Sequence, residues 1–263
     1  MNVLDVGLGS LEAQLWQILF LSIRCGAALM AAPMVGGNAV PAPLRILLSL
    51  VLGYFIATWV PLPPAPAMMS LAAVLAVLQE VAVGLMLGFV LQLAFAIPLI
   101  AAEQISGSMG LAIATSIDPS SGAQSGALGT LFGLVLSLLF YVIGGHLLWF
   151  ELLIESYRLL PAGEFAFGAW RAQNIVMFMG LGLATAAAIA LPVVLVLMLV
   201  QVVTGLVARS APALNLFALG LPAGVLAGIA ALIIALPVMM QQFEGVIETA
   251  LDQSAALLAP EPR

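Results

Sequence analysis

Charge-free apolar runs dominate the chain, and they are long. A bilayer-crossing helix needs about 20 residues, and the pattern supplies several such runs. The first extends from about Leu15 to Met34 and stops at Gly36-Gly37-Asn38, with Pro41 and Pro43 behind it. The second covers Leu44 to Val60. The stretch from Pro61 to Pro66 then reads as a rigid, extended connector. The third runs from near Ser70 to Ala101, with Glu80 inside it and Pro98 near its end. The fourth runs from about Ala127 to Phe150, and a polar patch from Glu151 to Arg171 follows. Two further runs lack charge: Ala172 to Ala208 and Ser210 to Phe243. The first of these would be about 55 Å long as one helix, against a hydrocarbon core of about 30 Å. Each either folds back on itself or overshoots the bilayer, and Pro192, Pro222 and Pro237 offer places to kink. The expected class is all-α: a polytopic membrane-type protein of long kinked helices and helical hairpins.

Between the third and fourth runs lies a different kind of segment, Glu103 to Gly126. It is rich in glycine and serine, contains Asp118-Pro119, and has no Lys or Arg. It reads as a long loop with little regular structure, and loops of that length tend to be functional. Its side chains are mostly small and uncharged, with Met109, Leu111, Ile113 and Ile117 interleaved. Irregular backbone at membrane depth is tolerated only when buried in protein or lining a water-filled cavity. Such a loop could fill a pore and be pushed aside without breaking strong bonds. It could equally be an ordinary solvated loop.

Composition narrows the class. Among 263 residues, 64% are hydrophobic and 7% charged, and the mean hydropathy is +1.24. Soluble domains carry about 25% charged residues, so that class is excluded, as is disorder. The six basic residues are all arginines, against twelve acids. A net charge of −6 excludes a nucleic-acid footprint and a polybasic lipid-binding segment. With six alternating spans, Arg158, Arg171 and Arg263 fall on one side and Arg45 and Arg209 on the other. That balance sets no orientation, which fits a protein positioned by partners. No Lys or Arg precedes Arg24, so a cleaved signal peptide is not expected. Small residues recur at four-residue spacing: Gly84/Gly88, Gly122/Gly126, Gly129/Gly133 and Gly220/Gly224/Gly228. Such spacing lets helix backbones approach closely.

Candidate chemistry is sparse. One histidine, His146, and one cysteine, Cys25, leave no histidine- or cysteine-based metal set, and no cofactor is expected. No serine stands in a Gly-x-Ser-x-Gly elbow; Ser108 and Ser125 come nearest. His146 reads as a structural histidine at a helix interface. Ionisable groups at membrane depth are costly and often functional. Arg24, Glu80 and Glu103 are the ones here. They read as an internal or intersubunit ion pair; a proton pathway would need more aligned carboxylates.

Several stretches together resemble the FliR family of flagellar biosynthetic proteins. One is Gly107-Ser108-Met109-Gly110-Leu111-Ala112, followed by Asp118-Pro119 and Gln124. After a long apolar helix come Gly145-His146, Ser156 and Leu160-Pro161-Ala162-Gly163. A second block starts at Leu191-Pro192, continues from Ala208-Arg209-Ser210 through Pro212 and Asn215 to Phe217, and ends at Gly220-Leu221-Pro222. Arg24, Ala32-Pro33 and Val40-Pro41 are compatible. The Met-Gly and Asp-Pro pattern is more similar to the flagellar branch than to the corresponding virulence type III secretion subunit.

The resemblance implies a non-enzymatic, single-copy subunit of the type III export gate, through which unfolded flagellar proteins leave the cell. FliP-like and FliQ-like subunits would complete a spiral around a channel, with FlhB-like and FlhA-like components beside it. The place implied is the bacterial inner membrane at the flagellar basal body, with the chain held above the membrane plane once assembled. It implies a FliP-like part over residues 1–165 and a FliQ-like hairpin with a short tail over 166–263. It also implies that the loop is the pore plug, with Ser106, Gly107, Ser108, Met109, Gly110, Ile117, Asp118, Pro119 and Gln124 belonging to it. Arg24, Glu80, Glu103, His146, Arg209, Pro212 and Asn215 are the expected packing or subunit-interface residues. Readings of another class are a secondary transporter with a substrate site at broken helices near Pro192 and Pro222, and a membrane hydrolase using Ser108 or Ser125 with His146.

Overall fold

The computed structural model describes residues 3–36, 40–60, 65–66, 70–110, 126–163, 168–210 and 216–259. Among them are seven α-helices and no strand: α1 (Val3–Ala31), α2 (Ala42–Trp59), α3 (Leu71–Ser108), α4 (Ala127–Val142), α5 (Gly145–Leu159), α6 (Ala169–Ser210) and α7 (Leu216–Leu258). Five are long and apolar enough to cross a membrane, or six spans exist if α4 and α5 count as one. The protein is a polytopic helical membrane protein.

Local chemistry explains several of the ends. Pro41 and Pro43 bracket the start of α2, where a missing N–H costs no helical bond. The Ser70 hydroxyl accepts a bond from the Ala73 amide at 3.0 Å and so caps α3. Arg209 stands in the last turn of α6, where a cation suits the helix dipole.

Three expectations need correction. The fourth run is not one helix. It breaks at Gly144, whose φ of +74° is the left-handed conformation glycine adopts most readily, and α4 and α5 bend by 69° there. The polar patch begins as helix, because α5 continues to Leu159. Trp149, Leu153, Ser156 and Tyr157 recur at helical spacing and are buried, while Glu151 and Arg158 face outward. The loop starts later than Glu103, because α3 runs on to Ser108. Nothing between Glu103 and Ser106 breaks a helix, and Ile105 is buried, which holds that turn in place. The two long charge-free runs prove to be single helices, α6 of 42 residues and α7 of 43, unbroken at Pro192, Pro222 and Pro237.

The chain forms two compact units. The first comprises 1–93, 144–178 and 249–263, and the second comprises 94–143 and 179–248. In the first unit, α1 and α3 press together along Gly84 and Gly88. A methyl group on Gly84 would lie 2.3 Å from the Arg24 carbonyl oxygen, and one on Gly88 would lie 2.5 Å from the Ala31 Cβ. The four-residue glycine spacing is here a helix contact. Gly53 brings α2 close to α1 as well, with the Ile18 carbonyl 2.9 Å from a would-be Cβ. Large side chains fill the rest of this core, among them Phe20, Leu29, Ile56, Leu87, Leu91 and Trp149. At one edge the start of α6 meets the end of α7. The buried Arg171 donates from Nε to the Leu257 carbonyl at 2.8 Å and from Nη2 to the Ala259 carbonyl at 3.1 Å. It thereby satisfies carbonyls that the end of α7 leaves without helical partners.

The second unit packs the end of α3 and all of α4 with α6 from Met179 onward and most of α7. Its aromatic pairs meet edge to face: Phe95 with Phe140 at 5.6 Å and Phe132 with Phe243 at 5.5 Å. Leu199, Val202 and Leu206 of α6 and Leu226, Ile233 and Ile234 of α7 are exposed on the chain.

Candidate functional site

Two arrangements bring the candidate residues together, one in each unit. In the first unit, Arg24 and Glu80 are both fully buried and form a bidentate pair. Arg24 Nε lies 2.9 Å from Glu80 Oε2, and Nη2 lies 2.8 Å from Oε1. The other donors of the guanidinium are used as well. Nη1 donates to the Ser156 carbonyl at 2.8 Å and to its hydroxyl at 3.1 Å, and Nη2 donates to the Leu160 carbonyl at 3.0 Å. An arginine has five N–H donors, and this one spends all of them. Its plane also lies over the Tyr157 ring, 4.1 Å from the centroid. Glu80 takes a further bond from the Gly163 amide at 3.3 Å. The Tyr157 hydroxyl donates to the Leu21 carbonyl. The node therefore ties α1, α3, α5 and the turn after α5 into one body. A buried pair so fully bonded is a structural clamp; its desolvation is offset only because every partner is present.

The sequence pointed to an ion pair among Arg24, Glu80 and Glu103, but not to which acid takes the arginine, nor to Ser156 and Tyr157 as the rest of the node. The only signal was their place: Ser156 and Tyr157 lie on the buried stripe of α5. Glu103 does not belong with them. It is exposed, and its Oε1 accepts a bond from the Gly126 amide at 3.3 Å. That amide opens α4, so the carboxylate sits where a helix N-terminus favours negative charge. His146 opens α5 just after the Gly144 bend and is half-buried. Arg209 is exposed. Pro212 and Asn215 lie outside the described residues, as do Ile117, Asp118, Pro119 and Gln124.

The second arrangement is the root of the glycine-rich loop. Ser106, Gly107 and Ser108 are in the last turns of α3. The Met109 amide bonds the Ile105 carbonyl at 2.9 Å, and the Gly110 amide bonds the Gly107 carbonyl at 3.1 Å. Gly110 then turns the chain out of the helix with a φ of +81°. Met109 is buried against α7: the space beside Gly228 that a methyl group would need lies 2.7 Å from its Cγ and Cε. Gln201 of α6 donates its amide to the Ser108 carbonyl at 2.8 Å. Two cavities flank Met109. One, about 320 Å³, is lined by Ser108, Gln201, Thr204, Gly220 and Gly224 among others. The other, about 450 Å³ and apolar, lies between Leu128, Leu131 and Phe132 of α4 and Ile229, Leu232 and Leu236 of α7. The return of the chain is fixed too, since Glu103 holds Gly126. Gly110 and Gly126, the described residues that flank 111–125, are thus both tied to the end of α3.

Comparison with known proteins places this architecture. The model of the family described as "Bacterial export proteins, family 1" matches residues 15–250. The chain belongs to family 1 of the bacterial export proteins. This export protein is 30% identical over 235 residues to the flagellar biosynthetic protein FliR of Escherichia coli K12, covering 87% of this chain and 86% of that one. It is 29% identical over 251 residues to FliR of Bacillus subtilis, covering 92% and 94%. It is 32% identical over 143 residues to the surface presentation of antigens protein SpaR of Shigella sonnei, covering 54% and 55%. Arg24, Glu80, the loop root and the Met109 seat all fall inside the matched span.

Proposed function

We propose that this export protein is a non-enzymatic subunit of the flagellar type III export gate, and that its 103–126 segment seals the channel at rest. The observation that carries the reading is the set of contacts that hold both flanks, Met109–Gly110 and Gly126, to the end of α3, on either side of a segment poor in charge. Within 111–125 the only charged side chain is Asp118. Such a segment can fill a narrow pore with weak, distributed contacts. A passing polypeptide would displace it, and ions would be held back when it returns. The flanks stay in place because their own contacts, from Glu103, Gln201 and α7, do not depend on the loop.

The flagellar assignment rests on coverage: the FliR relatives span most of both chains, whereas SpaR matches about half. FliP-like and FliQ-like subunits would surround a single copy of this chain in the inner membrane, with FlhB-like and FlhA-like components at the basal body. The first 165 residues would play the FliP-like part. α6 and α7, joined at their base by Arg171, would form the FliQ-like hairpin. Their length and exposed apolar faces suit a chain wrapped by such partners and held above the membrane plane. The transporter reading loses its support, because α6 and α7 are unbroken at the prolines where a midplane site would need discontinuous helices. The hydrolase reading is weakened at Ser108, whose hydroxyl donates to the Gln104 carbonyl of its own helix at 2.9 Å. The sequence contains no Walker A loop, so energy would come from other components.

Deleting residues 111–121, which spares the root and the Gly126 cap, should leave the gate assembled but leaky. The measurement is potassium efflux from vesicles carrying the purified gate. Unchanged efflux from a gate present at normal amount would refute the seal.

A further inference from the structure

We propose that Met109 fixes the resting position of the loop by seating in a notch that Gly224 and Gly228 cut into α7, with Gln201 as a second fastening from α6. The proposal rests on the sealing role argued above and names the residues that position the seal. Its first support is steric. A Cβ on Gly228 would stand 2.7 Å from Met109 Cγ and Cε and 2.8 Å from its Sδ, so any side chain there pushes the thioether out of its present seat. At Gly224 a Cβ would stand 3.3 Å from the Met109 carbonyl oxygen, a tight contact that places the backbone of the root close against α7. The glycine triple of α7 therefore receives a side chain where its spacing suggested another helix.

The second support is polar and independent of the first. The carbonyl of Ser108 lies at the C-terminal end of α3, where helical carbonyls lack intrahelical partners. Gln201 supplies one. Methionine suits the seat, because its unbranched thioether fits irregular gaps and can leave and return without breaking a strong bond. Met109 also contributes to the walls of both cavities described above. Moving it alters both at once.

The test measures potassium efflux per assembled gate for variants co-expressed with the FliP-like and FliQ-like partners, alongside the 111–121 deletion. Gly228→Leu fills the notch and should raise efflux about tenfold, the population shift that corresponds to about 1.4 kcal/mol. Met109→Ala should raise it too. Combining the two should bring efflux back toward the native level, because the leucine occupies the volume the methionine leaves. A merely structural role for Gly228 would lower the amount of gate and leave efflux per gate unchanged. Native efflux from an assembled Gly228→Leu gate, while the deletion leaks, would overturn the notch and leave the seal standing. A deletion that does not leak removes the seal and the notch with it. If Gly228→Leu prevents assembly, Met109→Ala decides: raised efflux supports the seat, and native efflux overturns it.

Discussion

Replacing Arg24 with methionine should destabilise the first unit by about 3–5 kcal/mol, the range for removing one partner of a buried ion pair. The reason is what stays behind. Glu80 is fully buried, and without the guanidinium it keeps only the Gly163 amide among the bonds described for it. The Leu160 carbonyl and the Ser156 hydroxyl lose a donor at the same time. Glu80→Leu should do comparable harm by stranding the cation. The double change, Arg24→Met with Glu80→Leu, should recover a large part of the loss, since well-packed apolar residues can replace a buried pair at little net cost. Recovery stays incomplete, because the pair also holds backbone groups of α5 and the turn after it. Thermal unfolding in detergent, followed through the core residue Trp149, measures all three. An Arg24→Met protein as stable as the native one would show that the clamp carries no weight.

Gly84→Leu should also be strongly damaging, through sterics alone. The would-be Cβ lies 2.3 Å from the Arg24 carbonyl oxygen and 2.8 Å from the Ala27 Cβ. Backbone cannot step aside as a flexible side chain can, so α1 and α3 must separate. Overpacking costs about 1–3 kcal/mol and occasionally more, and this site sits at the top of that range. The separation also pulls Arg24 away from Glu80, so the two effects are coupled and should not add. Gly84→Ala should show the same defect in milder form. Gly180, whose added Cβ would meet nothing within 4 Å, is the matched control. Equal unfolding temperatures for the Gly84 and Gly180 variants would contradict the close approach.

Much of this architecture could be read from pattern alone. Charge-free apolar runs located α1, α2, α6 and α7, because length and absence of charge are local properties, but α1 begins at Val3 rather than Leu15 and α7 continues past Phe243 to Leu258 through charged positions. Pattern did not reveal the bend at Gly144. One φ of +74° separates a broken span from a continuous one, and the Gly144-Gly145 pair sits inside an otherwise unbroken run. It also misjudged the end of α3. Glycine and serine read as loop, yet Ile105 anchors the last turns in the core and the helix outlasts its propensity. The prolines of α6 and α7 left a fold-back and an overlong helix both open, and the structure takes the second: each run is a single helix with its prolines inside.

The candidate residues divide in the same way. Arg24 and Glu80 stood out because charge is rare in this chain, but their pairing joins positions 56 apart in sequence and needs the fold to be seen. Glu103 stood out on the same ground and proved to be exposed. Met109 was visible as an apolar residue of the glycine-rich segment and, through the family resemblance, as part of the implied plug, but not as a residue packed on α7. That Gly228 receives it is a tertiary fact with no local signature beyond the four-residue glycine spacing.

The measurement that tests the central claim most directly is the native mass of this chain co-expressed with FliP-like and FliQ-like partners and purified in mild detergent. An export-gate subunit should run as one copy within a large complex containing both. A stable monomer or homodimer that leaves both partners behind would contradict it.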